Sequence, residues 1–285
     1  MKINTSFSIL FYILLSALTT ETAIAQQPGS LFIIGGGDRT YGLMQSLKTT
    51  AQLKDNDYIV ILPMSGENPD TSFYYIKEDL RQVFNNPVVN FNFTKEKSND
   101  ISWLDSLEKA KLIFITGGDQ NRFMNIVLHT PIYDAIKKAF KNGGTVAGTS
   151  AGAAVMSEKM ITGNELIGDS AATNSFTKIR HNMVEIKEGL GLVKKAVIDQ
   201  HFIVRSRYNR LLSVLAANPS LECIGIDEAT AVIIKGQKVT VAGESQVIRL
   251  RIANTKNTAP GKKDMIRMEN ARLDILTAGD VFMLK

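Results

Sequence analysis

The chain has 285 residues, 44% hydrophobic and 21% charged, with 33 Lys and Arg against 28 Asp and Glu. That is a globular composition, long enough for one large domain or two small ones. A single cysteine excludes an intramolecular disulfide and a cysteine metal cluster, a net charge of +5 spread along the chain carries no nucleic-acid signature, and a mean hydropathy of −0.01 excludes a multi-span membrane protein.

The first segment reads as a secretory signal. Lys2 precedes an apolar run from Ile9 to Leu18, and Ala23-Ile24-Ala25 has the small-x-small form of a signal peptidase site. The run is shorter than the ~20 residues that span a bilayer. Residues 1–25 are therefore expected to be removed, leaving a chain with no membrane association. No cysteine lies near the cleavage site to take a lipid. Export without disulfides suggests a periplasmic or extracellular protein.

From Ser30 onward, short apolar runs alternate with segments of helical spacing. Ser30 to Ile34 is a strand, ending in Gly35-Gly36-Gly37-Asp38, and Tyr41 to Ala51 is a helix with Leu43, Met44 and Leu47 on one side. Then come a strand at 58–63, a helix at 73–84, a strand at 88–93 and a short helix at 106–110. Lys111 to Thr116 is a strand closed by Gly117-Gly118-Asp119-Gln120, followed by a helix at 132–141 and a strand at 144–147. After Glu222 the pattern changes to short strands at 231–234, 239–242, 246–252 and 281–284, with a polar loop at 254–263. The alternation implies an α/β fold with a mostly parallel, doubly wound sheet and a small C-terminal antiparallel β extension. Residues 26–235 form the α/β domain and 236–285 the extension of that same domain.

In such sheets, ligands bind outside the carboxyl ends of the strands. Three glycine turns fall there, at 35–37, 117–118 and 148–152. The first is not a dinucleotide fingerprint, because Thr40 stands where the last glycine belongs. No cofactor and no metal site are expected. The third turn, Gly148-Thr149-Ser150-Ala151-Gly152, fits G-x-S-x-G between a strand and a helix start. That context offers Ser150 as a nucleophile on a strained turn, with the Ala151 N–H placed to stabilise an oxyanion. The plainer alternative is a serine that caps the helix.

A serine hydroxyl needs a base. His129 lies in a turn and His181 in a basic stretch, whereas His201 follows the apolar run Ala196-Val197-Ile198 at a strand end. An acid should orient that base. Asp199, two residues away, and Glu228, which ends Ile224-Gly225-Ile226-Asp227-Glu228, both qualify, and spacing does not choose between them. Arg205, Arg207 and Arg210 follow His201. Cations at a helix start oppose its dipole, which points to an anion nearby, such as a substrate carboxylate.

Four motifs taken together carry a resemblance: Gly117-Gly118-Asp119-Gln120, Gly148 to Met156, Asp199-Gln200-His201-Phe202 with its three arginines, and Gly225-Ile226-Asp227-Glu228. They resemble the cyanophycinases of peptidase family S51, which also holds the aspartyl dipeptidases. The resemblance covers the stretch from Gly35 to about Ala231. It implies a fold like the class I glutamine amidotransferases (flavodoxin-like), with serine in place of cysteine. It implies Ser150 as nucleophile, His201 as base and Glu228, rather than Asp199, as third member. It further implies Gly118 or Asp119 as the second oxyanion donor. Gln120, Asp199, Gln200, Arg205, Arg207 and Arg210 match positions that line the family's substrate pocket. The implied partner is a peptide or polymer, cyanophycin, a poly-Asp backbone bearing Arg on each β-carboxyl, cleaved to β-Asp-Arg. Asp-containing or isoaspartyl dipeptides are the alternative substrates, and a non-catalytic binding protein of the same fold is the alternative class. The family also suggests a homodimer. Asn209 stands where the family pattern leads one to expect glycine, and residues 157–189 carry few features that match.

Overall fold

The computed structural model describes residues 28–166, 176–253, 258–260 and 264–285; the expected signal segment lies outside them. The centre of the main sheet is parallel. Its strands are β1 (Ser30–Ile34), β2 (Ile59–Leu62), β3 (Val88–Asn90), β4 (Leu112–Ile115) and β5 (Thr145–Thr149), in the spatial order β1-β5-β4-β2-β3. Every residue of β1, β2, β4 and β5 is buried. Both faces of these strands are covered, which is why their sequences run apolar without alternating.

Helices α1 (Tyr41–Ala51) and α2 (Pro69–Arg81) cover one face, setting Leu43, Met44, Leu47, Ile76 and Leu80 on Phe32, Ile34, Ile59, Ile61 and Phe114. The opposite face takes α3 (Ile101–Lys109), α4 (Gln120–Val127), α5 (Pro131–Lys141) and the short α6 (Ala151–Ala154), with Leu107, Phe123, Val127, Ile132 and Ile136 against Leu31, Ile33, Val60 and Ile113. Neighbouring residues of one strand thus feed opposite layers.

Three helix starts differ from the sequence reading, and a cap explains each. α2 begins at Pro69, ahead of the expected residue 73, because the Asn68 side chain accepts the Thr71 N–H and Pro69 presets the first turn. α3 begins at Ile101, ahead of the expected residue 106, where Asp100 accepts the Trp103 N–H at 3.1 Å. α4 has no counterpart in the periodicity; Asp119 starts it by accepting from the Asn121 and Arg122 N–H groups at 2.7 and 3.3 Å.

The second half of the chain adds strands to the main sheet and builds a second sheet. β6 (Lys159–Glu165) and β7 (Val184–Glu188) form an antiparallel hairpin of their own. After them come β8 (Ala196–Asp199), α7 (Tyr208–Ala217), β9 (Glu222–Ile226), β10 (Thr230–Lys235), β11 (Lys238–Gly243) and β12 (Val247–Ile252). β13 (Thr258–Pro260) pairs with β14 (Ile266–Met268), and β15 (Ala271–Leu276) and β16 (Val281–Met283) end the chain. β10, β11 and β16 continue the main sheet, antiparallel, beyond β1.

β8, β9, β12 and β15 make a second sheet in the order β15-β12-β9-β8, with β8 and β9 parallel. One face contributes Ile198, Ile224, Ile226 and Val247 to the main core. The other carries Val197, Cys223, Ile248 and Leu250 against Leu211, Val214 and Leu215 of α7. The two sheets are also tied by Arg249 of β12, which is buried, pairs with Glu222 at 2.7 Å and donates to the Met283 carbonyl at 2.9 Å. The fold is α/β with a mixed main sheet; after residue 236, β11 and β16 join the main sheet, β12 and β15 the second, and β13 and β14 pair with each other.

Candidate active site

The carboxyl ends of β1, β4 and β5 in one sheet and of β8 and β9 in the other meet at a seam. Ser150 leaves β5 with φ 53° and ψ −111°, a strained conformation for a residue with a side chain. The turn is tight enough that a Cβ on Gly152 would sit 2.2 Å from the Ile115 carbonyl oxygen, so only glycine fits. Ser150 makes no side-chain cap to α6. Its Oγ instead lies 2.9 Å from His201 Nε2. The capping alternative therefore does not describe this serine.

His201 sits just past β8, at φ 47°, and is 7% exposed. Its Nδ1 is 2.5 Å from Glu228 Oε1. The carboxylate fixes which ring nitrogen carries the proton, leaving Nε2 to accept from the serine hydroxyl. Asp199 is not the partner. β8 ends at Asp199, so His201 lies beyond the strand and the shared-face argument does not reach it. Burial holds the imidazole pKa below its ordinary value; the Glu228 hydrogen bond opposes that shift, and Arg205 and Arg207 add to it.

The Gly35–Gly37 turn is the clamp for this pair. The His201 N–H donates to the Gly35 carbonyl at 2.7 Å, and the Ala229 N–H donates to the Gly36 carbonyl at 2.9 Å. A Cβ on Gly36 would fall 2.2 Å from the imidazole Cε1. Asp227 secures the far side, its Oδ1 accepting the Ile203 and Val204 N–H groups, each at 3.0 Å. Asp227, inside the Gly225–Glu228 motif, is not among the site residues expected from the sequence, and the Gly35–Gly37 turn is expected only to mark a strand end.

Of the candidate oxyanion donors, Ala151 opens α6, where a first-turn N–H has no intrahelical acceptor. The Gly118 N–H has no backbone acceptor among the described residues. The Asp119 N–H does not qualify, because it donates to the Ser65 carbonyl at 2.8 Å. Asp119 is an N-cap with a backbone bond already made, so of the two candidates Gly118 is the one whose N–H has no backbone acceptor among the described residues.

The candidate substrate-binding residues divide sharply. Asp199 is 1% exposed and takes a bidentate ion pair from Arg210, through Nε at 2.9 Å and through Nη2. Arg207 Nη1 lies 3.6 Å from the same carboxylate and donates to the Gln200 carbonyl at 2.6 Å. The anion that these helix-start cations call for is Asp199, inside the protein. Neither Asp199 nor Arg210 is open to a substrate's charged group, which corrects the expectation for both. Arg207 is as deeply buried; burial and the Arg210 charge push its pKa down to about 10, against the attraction of Asp199. Gln200 is buried, with its side-chain oxygen lacking a partner among the described residues. Gln120 donates to the Ile161 and Thr162 carbonyls at 3.1 and 2.6 Å, so its amide anchors β6. Arg205 alone of the three arginines is exposed.

A concavity of about 270 Å³ opens beside Ser150 and His201, lined also by Arg39, Ser72, Tyr75, Thr116 and Thr149. None of those five was singled out from the sequence. Among the described residues no cluster of three His, Cys, Asp or Glu could hold a metal, and no helix is long and apolar enough to cross a membrane.

The model for peptidase family S51 matches residues 31–242. Cyanophycinase from Trichormus variabilis is 38% identical over 184 residues, covering 63% of this chain and 59% of that protein. The chain thus spans under two thirds of that relative's length. Cyanophycinase from Geminocystis herdmanii is 37% identical over 194 residues, covering 66% of this chain and 68% of that protein. Among solved structures, a peptidase from an acI-B1 Actinobacterium shares the fold with a TM-score of 0.64 at 20% identity, covering 91% of this chain and 98% of that one.

Proposed function

The chain belongs to peptidase family S51, and we propose that it is an exported serine exopeptidase that releases β-Asp-Arg dipeptides from cyanophycin. The observation that carries this reading is the continuous chain Ser150 Oγ–His201 Nε2, 2.9 Å, and His201 Nδ1–Glu228 Oε1, 2.5 Å, beginning on a strained strand-to-helix turn. His201 takes the serine proton as Oγ attacks the scissile carbonyl. The resulting imidazolium is stabilised by Glu228. The oxyanion is met by the Ala151 and Gly118 N–H groups, one such donor being worth about 3 kcal/mol of barrier. His201 then gives its proton to the leaving amine, and a water deprotonated by the same imidazole hydrolyses the acyl-enzyme.

Cyanophycin as substrate rests on the relatives' name and on Arg39, the cation that lines the concavity beside Ser150, because each repeat of that polymer carries a free carboxylate. The segment 1–25 supports export, since it has the form of a cleavable signal. The test is to incubate residues 26–285 with purified cyanophycin beside the Ser150→Ala variant and to follow β-Asp-Arg by mass spectrometry. Dipeptide from the unmodified chain alone supports both substrate and nucleophile. No product from folded protein rejects cyanophycin and turns the search to Asp-containing and isoaspartyl dipeptides.

A further inference from the structure

The concavity at Ser150 needs a cation that can reach a substrate, and Arg210 is locked on Asp199 within the core. Arg39 lines that concavity. It follows the Gly35–Gly37 turn that clamps His201, and its side chain is 20% exposed. Two contacts aim it: Nε donates to Asp79 Oδ2 of α2 at 2.5 Å, and Nη1 donates to the Gly37 carbonyl at 3.2 Å. The guanidinium has five N–H groups. These contacts use two, so one N–H on Nη1 and both on Nη2 have no partner among the described residues. Those three N–H groups are left to donate to a carboxylate.

A second observation points the same way. Thr116 and Thr149 line the same concavity, are 1% and 4% exposed, and each has a buried hydroxyl with no hydrogen-bond partner among the described residues. Unpartnered buried hydroxyls are costly in a folded protein and recur where a ligand completes them. Arg39 and two waiting hydroxyls beside the Ser150 turn make a small, polar, cationic subsite. At about 270 Å³ it lies below the ~300–1,000 Å³ of pockets for drug-sized ligands, and so it suits one residue rather than a length of polymer.

We propose that Arg39, oriented by Asp79, is a specificity-determining residue that binds the side-chain carboxylate of the substrate residue whose carbonyl is attacked by Ser150. This deepens the peptidase reading and rests on it. In the Arg-bearing polymer that carboxylate is the terminus of the attached Arg. In a simple Asp peptide it is the Asp side chain. Both present the same planar anion to the same guanidinium.

The test separates binding from catalysis. Ser150→Ala protein, which leaves the peptide intact, is titrated calorimetrically with a three-unit β-Asp-Arg peptide carrying free Arg carboxylates and with the same peptide as carboxamides. The carboxylate form is expected to bind at least about 10-fold more tightly, as for a charge-assisted contact. Adding Arg39→Gln should abolish that preference, and adding Arg39→Lys should restore part of it. Asp79→Asn, which keeps the cation but frees its orientation, should reduce the preference by a smaller factor. In otherwise unmodified enzyme, Arg39→Gln should raise KM for the carboxylate peptide far more than it lowers kcat. Equal losses on both peptides would assign Arg39 to structure alone and overturn the proposal, as would a preference that survives both substitutions, or no binding of the carboxylate peptide by folded Ser150→Ala. Failure of the unmodified chain to hydrolyse a peptide that its Ser150→Ala form binds through Arg39 would instead reject the peptidase reading.

Discussion

The two sides of the site are built differently. On the main sheet, backbone does the placing: Ser150 leaves β5 on a strained turn, its N–H donates to the Ile34 carbonyl at 3.1 Å, and Gly152 packs where a Cβ would sit 2.2 Å from the Ile115 carbonyl oxygen. On the second sheet, side chains do it: Glu228 orients His201, Asp227 holds the loop after it, and Asp199 gathers Arg207 and Arg210 beneath it. The turn itself is contiguous, five residues from Gly148 to Gly152. The side-chain side joins residues up to 27 positions apart. Errors on the first side should therefore cost chemistry, and errors on the second should cost stability and alignment as well.

Substitutions can break or sharpen this division. Ser150→Ala should have the largest effect, lowering kcat by about 10⁶-fold with an unchanged melting temperature, measured by peptide turnover and calorimetry. Asp199→Ala should act oppositely. It strands two buried guanidinium groups and should destabilise the fold by about 3–5 kcal/mol in urea unfolding, which a substrate-binding role alone would not do. Gly36→Ala probes the joint between the sheets. Its methyl would overlap the imidazole, so kcat/KM should fall about 10²-fold while secondary structure by circular dichroism persists.

The smallest effect is expected from Arg205→Gln. In the proposed mechanism His201 acts as base only when neutral, so activity should fall as pH drops through its pKa. Burial first, then Arg205, hold that pKa below 6.5, so the acid limb of kcat/KM should lie below pH 6.5. Removing the Arg205 charge favours the imidazolium, raises the pKa and moves that limb to higher pH. An acid limb that moves down, or stays fixed, would show that Arg205 does not act on His201.

The backbone side was legible beforehand because its information is contiguous. G-x-S-x-G between a strand and a helix start located Ser150, and the glycine turns at 35–37 and 117–118 marked the strand ends that converge on it. Strand β1 and helix α1 had the bounds that their apolar spacing indicates. Helix starts drifted by four or five residues at α2 and α3, because a cap is a single polar side chain and leaves no periodic trace. The substrate pocket was read less well. Arg205, Arg207 and Arg210 look alike in sequence, yet one is exposed and two are buried around Asp199. Arg39 gave no signal at all, being a lone cation after a glycine turn.

By itself the sequence determined the α/β layering, the turn that carries Ser150 and the candidacy of His201, because strand burial and turn chemistry act within a few residues. Only the tertiary structure decided that β8 and β9 leave the main sheet, that the Asp119 N–H is already taken, and that Arg39 faces the concavity. Each of those depends on which long-range groups share a small buried volume, where a hydrogen bond or ion pair made to one partner is withdrawn from every other.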